Sequence, residues 1–398
     1  MKPIQKDALK EHSIQIETAV FIVALMLVGF LYVLFYKHYV PYGFDEKYHT
    51  IFAEKLFKQS LESMKAEDSD IPIWAVTYPF YHVSLKAFAF LLGNKFFEAT
   101  YLLNALCVVL AILLIRVFLL RIYPTKEWKK RALYDVISVC AVVFVTASGP
   151  LNGWRMYARQ SAANPVHNPT VLFVRPFGIL VVLAFLLFLE RFDKKEPCAG
   201  NVVLFGLLSF FSILAKPNFA FVFLPAMGII ILEKMIRERY IRIGIMAFIA
   251  VLPSLILMLW QFCFITDDSV AIKVRFSFGS FSEFTPLEVV IVSLVTFPVP
   301  IILASKKLFV SDATYRLAIY ALVIGWFQMF FLTNGPSGDF TWGYDLAIQF
   351  ATVVALVSAF KAKLPQWRWT LAFMMFLYQT VCGVSYISTV YRYLEMWN

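Results

Sequence analysis

The residues best suited to chemistry stand together at 43–50, Gly-Phe-Asp-Glu-Lys-Tyr-His-Thr, directly after the first apolar segment. Asp45 lies nine residues past the end of that segment near Tyr36, with Glu46 beside it. A carboxylate inside a bilayer costs several kcal/mol, roughly 3 for Asp on insertion scales. Just outside a span the same group keeps its water and faces lipid-borne molecules, where it is suited to act as a base. The next thirty residues hold nothing apolar enough to re-enter the membrane. On a helix starting here, Asp45, Tyr48, His49 and Phe52 share one face at i, i+3, i+4 and i+7. The pair also fits an ordinary solvated helix start, since first-turn acids suit the helix dipole. Its meaning depends on where the rest of the chain puts its other polar groups.

Of the 398 residues 60% are hydrophobic, 17% aromatic and 16% charged, with a mean hydropathy of +0.72. No soluble core needs so much apolar sequence; an all-α polytopic membrane protein does. The net charge of +10 comes from small Lys/Arg clusters between apolar runs. That is the positive-inside pattern, so no nucleic-acid partner is expected. Cys107, Cys140, Cys198, Cys263 and Cys382 show no metal-ligand spacing, and most fall inside apolar runs. The run from Thr18 to Tyr36 is too long for a signal-peptide core and lacks a small-residue cleavage site, so it reads as a retained anchor. One membrane domain over 1–398 is expected, without a separate soluble domain, its first outer loop covering about 37–96.

Apolar runs of spanning length fall near 18–36, 97–121, 132–149, 171–190, 200–215, 219–233, 243–265, 287–304, 314–332, 343–360 and 369–390, about eleven in all. The runs at 200–215 and 219–233 are separated only by Lys216-Pro217-Asn218, which reads as a hairpin turn or a break in one helix. If every run spans, six basic clusters fall on one side. They are Lys2 to Lys10, Lys126 to Arg131, Arg191 to Lys195, Lys234 to Arg242, Lys306 to Arg316, and Lys361 to Arg368. That side is then the cytoplasm. The opposite side collects Asp45-Glu46, the stretch Tyr78-Pro79-Phe80-Tyr81-His82, the loop from Trp154 to Arg175, and Lys216-Pro217-Asn218. The loop Asp267 to Glu283 and the segment Asn334 to Asp345 join them. Within the first outer loop, Tyr48, Ile51, Phe52, Leu56, Leu61 and Met64 recur at helical spacing opposite Glu54, Lys58, Glu62 and Lys65. This predicts an amphipathic helix on the membrane surface, ended by the acidic turn Glu67 to Asp70. Pro79 suits the first turn of a second surface helix to about Leu92, with Gly93-Asn94 as its stop.

The order of these pieces is distinctive. A first span is followed by Asp-Glu opening one surface helix, Tyr-Pro-x-Tyr-His opening another, and Leu-Leu-Gly-Asn-x-Phe-Glu leading into span two. Over residues 18–121 this resembles the start of the GT-C superfamily of integral-membrane glycosyltransferases, in particular its protein-mannosyltransferase-like and aminoarabinose-transferase-like branch. Asn164-Pro165-Val166-His167-Asn168-Pro169-Thr170 with Arg175-Pro176-Phe177, and Gly338-Asp339-Phe340-Thr341-Trp342-Gly343-Tyr344, look like patterns of uncharacterised bacterial relatives. The resemblance implies inverting transfer of a sugar from a polyprenyl-phosphate-linked donor to a glycan, lipid or protein acceptor. It implies cell-envelope glycan biosynthesis at the extracytoplasmic side of a bacterial plasma membrane. It also implies that a first-loop acid acts as base or metal ligand, which falls on Asp45 with Glu46 beside it. The large C-terminal soluble domain of several GT-C branches has no counterpart here, which leaves the acceptor class open.

The residue types fit that chemistry. A positioned carboxylate taking the acceptor hydroxyl's proton contributes roughly 100- to 10,000-fold. A departing lipid phosphate needs cations, and Arg155, Arg159, Arg175, Lys216, Lys273 and Arg275 stand on the outer side. Tyr81, His82 and His167 are further substrate-binding candidates, and Trp154, Tyr157, Trp342 and Tyr344 have faces on which a sugar can stack. Arg175 and Lys216 also fit snorkelling to headgroups, and Trp342 and Tyr344 an interfacial aromatic belt. His49, His82 and His167 lack metal-ligand spacing, so no metal site is read; a divalent cation, Mg or Mn, is the only cofactor considered. Asp267-Asp268 fits a solvated turn. Asp339 and Asp345 are second-tier acids. A transporter or flippase would bury ionisable residues mid-span, and here Arg116 stands nearly alone in that respect. A non-catalytic subunit of a cell-envelope glycan assembly machine is the other alternative.

Overall fold

Apolar chain in a bilayer must satisfy its own backbone hydrogen bonds, and an unclosed chain can do so only as helix. The computed structural model describes residues 3–42, 44–56, 58, 77–143, 168–265, 275–276, 298–333 and 341–395. In chain order the described helices are α1 (Pro3–Tyr39), α2 (Phe44–Lys55), α3 (Phe80–Leu91), α4 (Phe96–Ile122), α5 (Trp128–Val143), α6 (Pro169–Asp193) and α7 (Ala199–Ala215). There follow α8 (Asn218–Glu238), α9 (Ile241–Ile265), α10 (Pro298–Ile302), α11 (Lys306–Ser311), α12 (Ala313–Phe331), α13 (Thr341–Lys361) and α14 (Gln366–Glu395). A two-residue antiparallel pairing, β1 (Arg275–Phe276) with β2 (Leu332–Thr333), is the sole sheet among the described residues.

Eight helices, α1, α4, α6, α8, α9, α12, α13 and α14, are long and apolar enough to cross a membrane, and the protein is integral to one. Of the eleven apolar runs, the one at 200–215 forms the shorter α7, of 17 residues. The described part of α5 has 16 residues, and the run at 287–304 is represented by the short α10. The chain does break at Lys216-Pro217: Lys216 is extended, and α8 starts with Pro217 as its N-cap. Pro176, Pro225 and Pro253 sit inside α6, α8 and α9, as neighbouring helices in a membrane allow.

Local chemistry sets the other boundaries. Pro79 caps α3, and the chain leaves it through Gly93 and Asn94, both left-handed (φ 73° and 64°), with the Asn94 N–H donating to the Ala89 carbonyl at 2.8 Å. Asp312 caps α12 by accepting from the Thr314 and Tyr315 N–H groups at 2.9 and 3.1 Å. The first surface helix is shorter than its periodicity predicts. It ends at Lys55, followed by a turn at Leu56, while Leu61, Met64, Glu62, Lys65 and the Glu67 to Asp70 turn lie outside the described residues. It packs on α3 and α4.

Contacts tie the basic connections together at one end of the bundle. Arg121 pairs with Glu190 at 2.9 Å, Lys234 with Asp193, and Arg316 with Glu233 at 3.0 Å. Tyr123 bonds Asp312 and Ser358 at 3.0 and 2.6 Å, and the Arg368 guanidinium donates to the Ile302 carbonyl. Slightly deeper, Arg116 joins Glu17 of α1 and Asp135 of α5, both at 2.5 Å, and Arg131 joins Glu17 at 2.6 Å. Two cations and two carboxylates neutralise one another there.

Helices approach most closely where a side chain is missing. A Cβ on Gly206 of α7 would come within 2.5 Å of the Ala250 carbonyl oxygen of α9. Backbone cannot yield as a flexible side chain can. Gly206→Val is therefore expected to destabilise the protein by about 1–3 kcal/mol. Thermal unfolding in detergent checks this, with Gly200→Ala, whose Cβ meets nothing within 4 Å, expected to match the parent.

Candidate functional site

The inward stripe of α2 is Glu46, His49, Thr50 and Ala53, all buried and spaced i, i+3, i+4, i+7. Asp45 stands half-buried beside it, and Tyr48 is 50% exposed. The face expected from the sequence, Asp45 with Tyr48, His49 and Phe52, is thus rotated: only its His49 and Phe52 are buried. Polar pairing explains the rotation. His49 Nδ1 lies 2.8 Å from His82 Nε2 of α3, with the rings stacked at 5.0 Å. The Thr50 hydroxyl lies 2.8 Å from that of Thr100 on α4, and the Tyr81 hydroxyl donates to Asn104 Oδ1 at 3.2 Å. Those groups, once buried, must find partners, which fixes the roll of α2 against hydropathy alone.

Glu46 is fully buried, and neither carboxyl oxygen has a partner at ordinary hydrogen-bond distance among the described residues. Burial pushes its carboxyl well above the usual carboxylate range, and the Asp45 charge adds to this; its own backbone N–H and the Tyr39 hydroxyl act in the opposite sense. The raised pKa favours the protonated form of Glu46, beside a half-buried Asp45. The two adjacent carboxyls occupy different environments, which suits them to different roles.

A cationic region lies at the start of α6, on which α2 packs. Asn168, itself left-handed (φ 63°), caps α6, and Pro169 takes the first helical position. Its Oδ1 accepts from the Val171 N–H at 3.3 Å, from the Thr170 hydroxyl at 2.6 Å and from Lys216 Nζ at 3.1 Å. Lys216 also donates to the Thr170 hydroxyl at 3.0 Å and lies 5.5 Å from the Trp342 ring centroid. Only 5% of Lys216 is exposed, so it does not snorkel. At Gly343 a Cβ would come within 2.7 Å of the Asn218 carbonyl oxygen. The N-termini of α6 and α8 and the first described turn of α13 thus converge around Lys216. Each helix N-terminus carries roughly half a positive charge and unsatisfied N–H groups.

Arg175, two turns into α6, is buried as well. Its charge acts on Tyr32 and Tyr36 of α1 and on Asp345 of α13. Tyr36 also feels Glu46, so Arg175 and Glu46 flank one tyrosine. Asp345 is buried, with Oδ1 unpartnered among the described residues. Beside Arg175 an apolar cavity of about 50 Å³ runs between α6, α8 and α13.

Of the residues named from the sequence, Asp45, Glu46, Tyr81, His82, Arg175, Lys216 and Trp342 gather at this end of the bundle. Tyr344 belongs to it but is packed in the core against Gly325, and its ring presents no open face. Arg155, Arg159, His167, Asp267, Asp268, Lys273 and Asp339 lie outside the described residues, and only the backbone of Arg275 is described. Sequence reasoning missed Tyr32, Tyr36 and Tyr39, whose 4-and-3 spacing on the last turns of α1 was the available signal, and gave no role to the cap Asn168 and to Thr170 within the pattern it quoted. Among the described residues no three His, Cys, Asp or Glu side chains are grouped to hold a metal.

No protein-family model, curated protein or solved structure matches the chain.

A raised carboxyl pKa has a definite sign in stability. The contribution is fully present below the unfolded value of roughly 4.3 and is lost as pH rises through the folded value. Glu46→Gln keeps the shape of the protonated carboxyl, so its thermal midpoint is expected to equal the parent's below about pH 4 and to exceed it increasingly as pH rises from there. A variant less stable than the parent by the same margin throughout would mean that Glu46 is ionised in the fold.

Proposed function

We propose that the protein is a GT-C-type glycosyltransferase that moves a sugar, with inversion, from a polyprenyl-phosphate-linked donor to an acceptor hydroxyl. The observation that carries this reading is buried Lys216 among converging helix N-termini, with buried Arg175 two turns into α6, at the bundle end that holds Asp45. A site of that kind suits a phosphate held at headgroup depth beside a base.

In the proposed reaction Asp45 takes the proton of the acceptor hydroxyl as its oxygen bonds to the anomeric carbon. The bond from that carbon to the phosphate oxygen breaks, and the electron pair leaves with the polyprenyl phosphate. Lys216, Arg175 and the N–H groups of the helix ends stabilise the charge that grows on the phosphate, so the leaving group needs no proton. Glu46, whose protonated form burial favours, is assigned the part of a hydrogen-bond donor to a substrate oxygen rather than that of the base. Trp342 stands beside Lys216 as a surface for the sugar. Arg155, Arg159 and His167, on the chain leading into α6, are assigned to the same substrate.

The basic end of the bundle is assigned to the cytoplasm by the positive-inside rule, which puts Asp45 on the extracytoplasmic side of a plasma membrane. About eleven spans are proposed, counting α5, α7 and the run that ends in α10. The ion cluster at Arg116 is internally neutralised and packed between α1, α4 and α5, which fits a fixed brace better than a transport pathway.

Purified protein in liposomes with a polyprenyl-phosphate sugar tests the reading. Asp45→Asn removes the base and keeps the shape, so transfer is expected to fall at least about 100-fold with donor binding retained. Glu46→Gln is expected to be milder. Near-normal transfer by Asp45→Asn would remove Asp45 from the chemistry. Cysteines introduced in the 60–70 segment are expected to label from the extracytoplasmic side alone; labelling solely from the cytoplasm would reverse the orientation.

A further inference from the structure

At the end of the bundle away from Lys216, α8 and α9 are joined by only Arg239 and Tyr240, and Arg239 makes the turn in the left-handed region (φ 56°). Despite so short a connection the two helices part. Between them, over the buried rings of Phe185 and Phe205, lies a crevice of about 490 Å³ lined only by apolar side chains and two glycines, Gly228 and Gly244. Leu232, Ile245 and Phe248 on its rim are exposed, so it opens to the bilayer. Water has no polar partner there, and hydrocarbon fills it better than water does.

Charge at the mouth of the crevice is unbalanced. Most nearby cations are spent within the protein: Arg121 and Lys194 on Glu190, Lys234 on Asp193 and Glu238, Arg316 on Glu233. The side chains of Lys195, Arg239 and Arg242 are exposed and form no ion pair among the described residues. Lys195 and Arg242 line a polar recess of about 1180 Å³ beside the α8–α9 turn, in which Glu196 is the one carboxylate not paired among the described residues. Arg242 lines the recess and its chain neighbour Ile241 the crevice, so recess and crevice meet at one turn of α9.

An apolar slot opening beside three unpaired cations matches a molecule with a hydrocarbon tail and an anionic head. We propose that this site binds an anionic glycerophospholipid of the bilayer, one acyl chain in the crevice and the phosphate among Arg239, Arg242 and Lys195. The site stands apart from the transfer site and does not depend on it: α8 separates them by 21 residues, about 30 Å of helix.

Full-length protein in detergent, mixed with dioleoyl phosphatidylglycerol, dioleoyl phosphatidylcholine or glycerol 3-phosphate, tests the proposal by native mass spectrometry and thermal unfolding. Phosphatidylglycerol is expected to stay bound and raise the midpoint, phosphatidylcholine to do so less, and glycerol 3-phosphate, lacking a tail, to do neither. Arg239→Gln with Arg242→Gln is expected to weaken phosphatidylglycerol about 30-fold, roughly five-fold per surface cation, while unfolding without lipid stays at the parent value. Gly228 lines the crevice and a Cβ there meets nothing within 4 Å, so Gly228→Leu is expected to extend into the crevice and remove the retained lipid with no loss of stability. Equal retention of the two lipids by the parent, unchanged phosphatidylglycerol retention in either variant, or glycerol 3-phosphate matching phosphatidylglycerol would each overturn the proposal.

Discussion

The ion network of Glu17, Arg116, Arg131 and Asp135 sets how far α1 stands along α4 and α5, and through α1 the depth at which Asp45 emerges. Most of the α1 surface faces lipid, including Val20, Val23, Met26 and Phe30. Apolar contact alone holds such a helix poorly in register, because sliding it exchanges one lipid-facing residue for another. Two carboxylate–guanidinium contacts and the Arg116 guanidinium over the Phe21 ring at 4.4 Å do not tolerate a slide. Removing one partner of such a buried group costs about 3–5 kcal/mol, since the others are left uncompensated. From Glu17 the helix runs 22 residues to Tyr39, about 33 Å. A brace at one end of the bundle thereby positions the acid pair at the other.

The far end uses the same physics in a less balanced form. Arg175 and Asp345 sit within each other's field inside the bundle, while burial favours the protonated form of Glu46. Tyr36, between Arg175 and Glu46, has a buried hydroxyl without a partner among the described residues. Unpartnered buried polar atoms are uncommon in folded proteins, and here Tyr32, Tyr36, Glu46 and Asp345 all contribute one or more. Tyr32, Tyr36 and Asp345 all lie within the field of Arg175, so this part of the bundle gathers polar groups without partners among the described residues. This is the physical basis on which the transfer reading rests.

Backbone chemistry was readable in the sequence wherever it is local. Pro79, Gly93-Asn94 and Pro217 act through their own φ angles and hydrogen bonds, so their effect is the same whatever packs nearby. Eight of the eleven apolar runs were readable as spanning helices for a similar reason, since length and hydropathy are properties of a single segment. The roll of α2 was not. Tyr48 looks inward by hydropathy, but His49 and Thr50 answer to His82 and Thr100, 33 and 50 residues further on. Lys216 shows the same limit. Its place at a span end suggested contact with headgroups, whereas Asn168 and Thr170 receive it inside the protein. The three tyrosines of α1 were hidden within an apolar run, and only the position of Arg175 across from them gives them meaning.

The Lys216-Pro217 break has a consequence for biosynthesis. α7 is only 17 residues long and two residues, Lys216 and Pro217, join it to α8, so on the proposed topology the two are best inserted as one unit, with Lys216 carried across at the tip. An ammonium at mid-bilayer costs roughly 3 kcal/mol on insertion scales. Its acceptors, Asn168 and Thr170, belong to α6, which leaves the ribosome first and is already in place when the hairpin arrives. Trp342 follows more than a hundred residues later and closes over a lysine already docked. The order of synthesis thus delivers each partner before the charge that needs it, and the ring that covers it last.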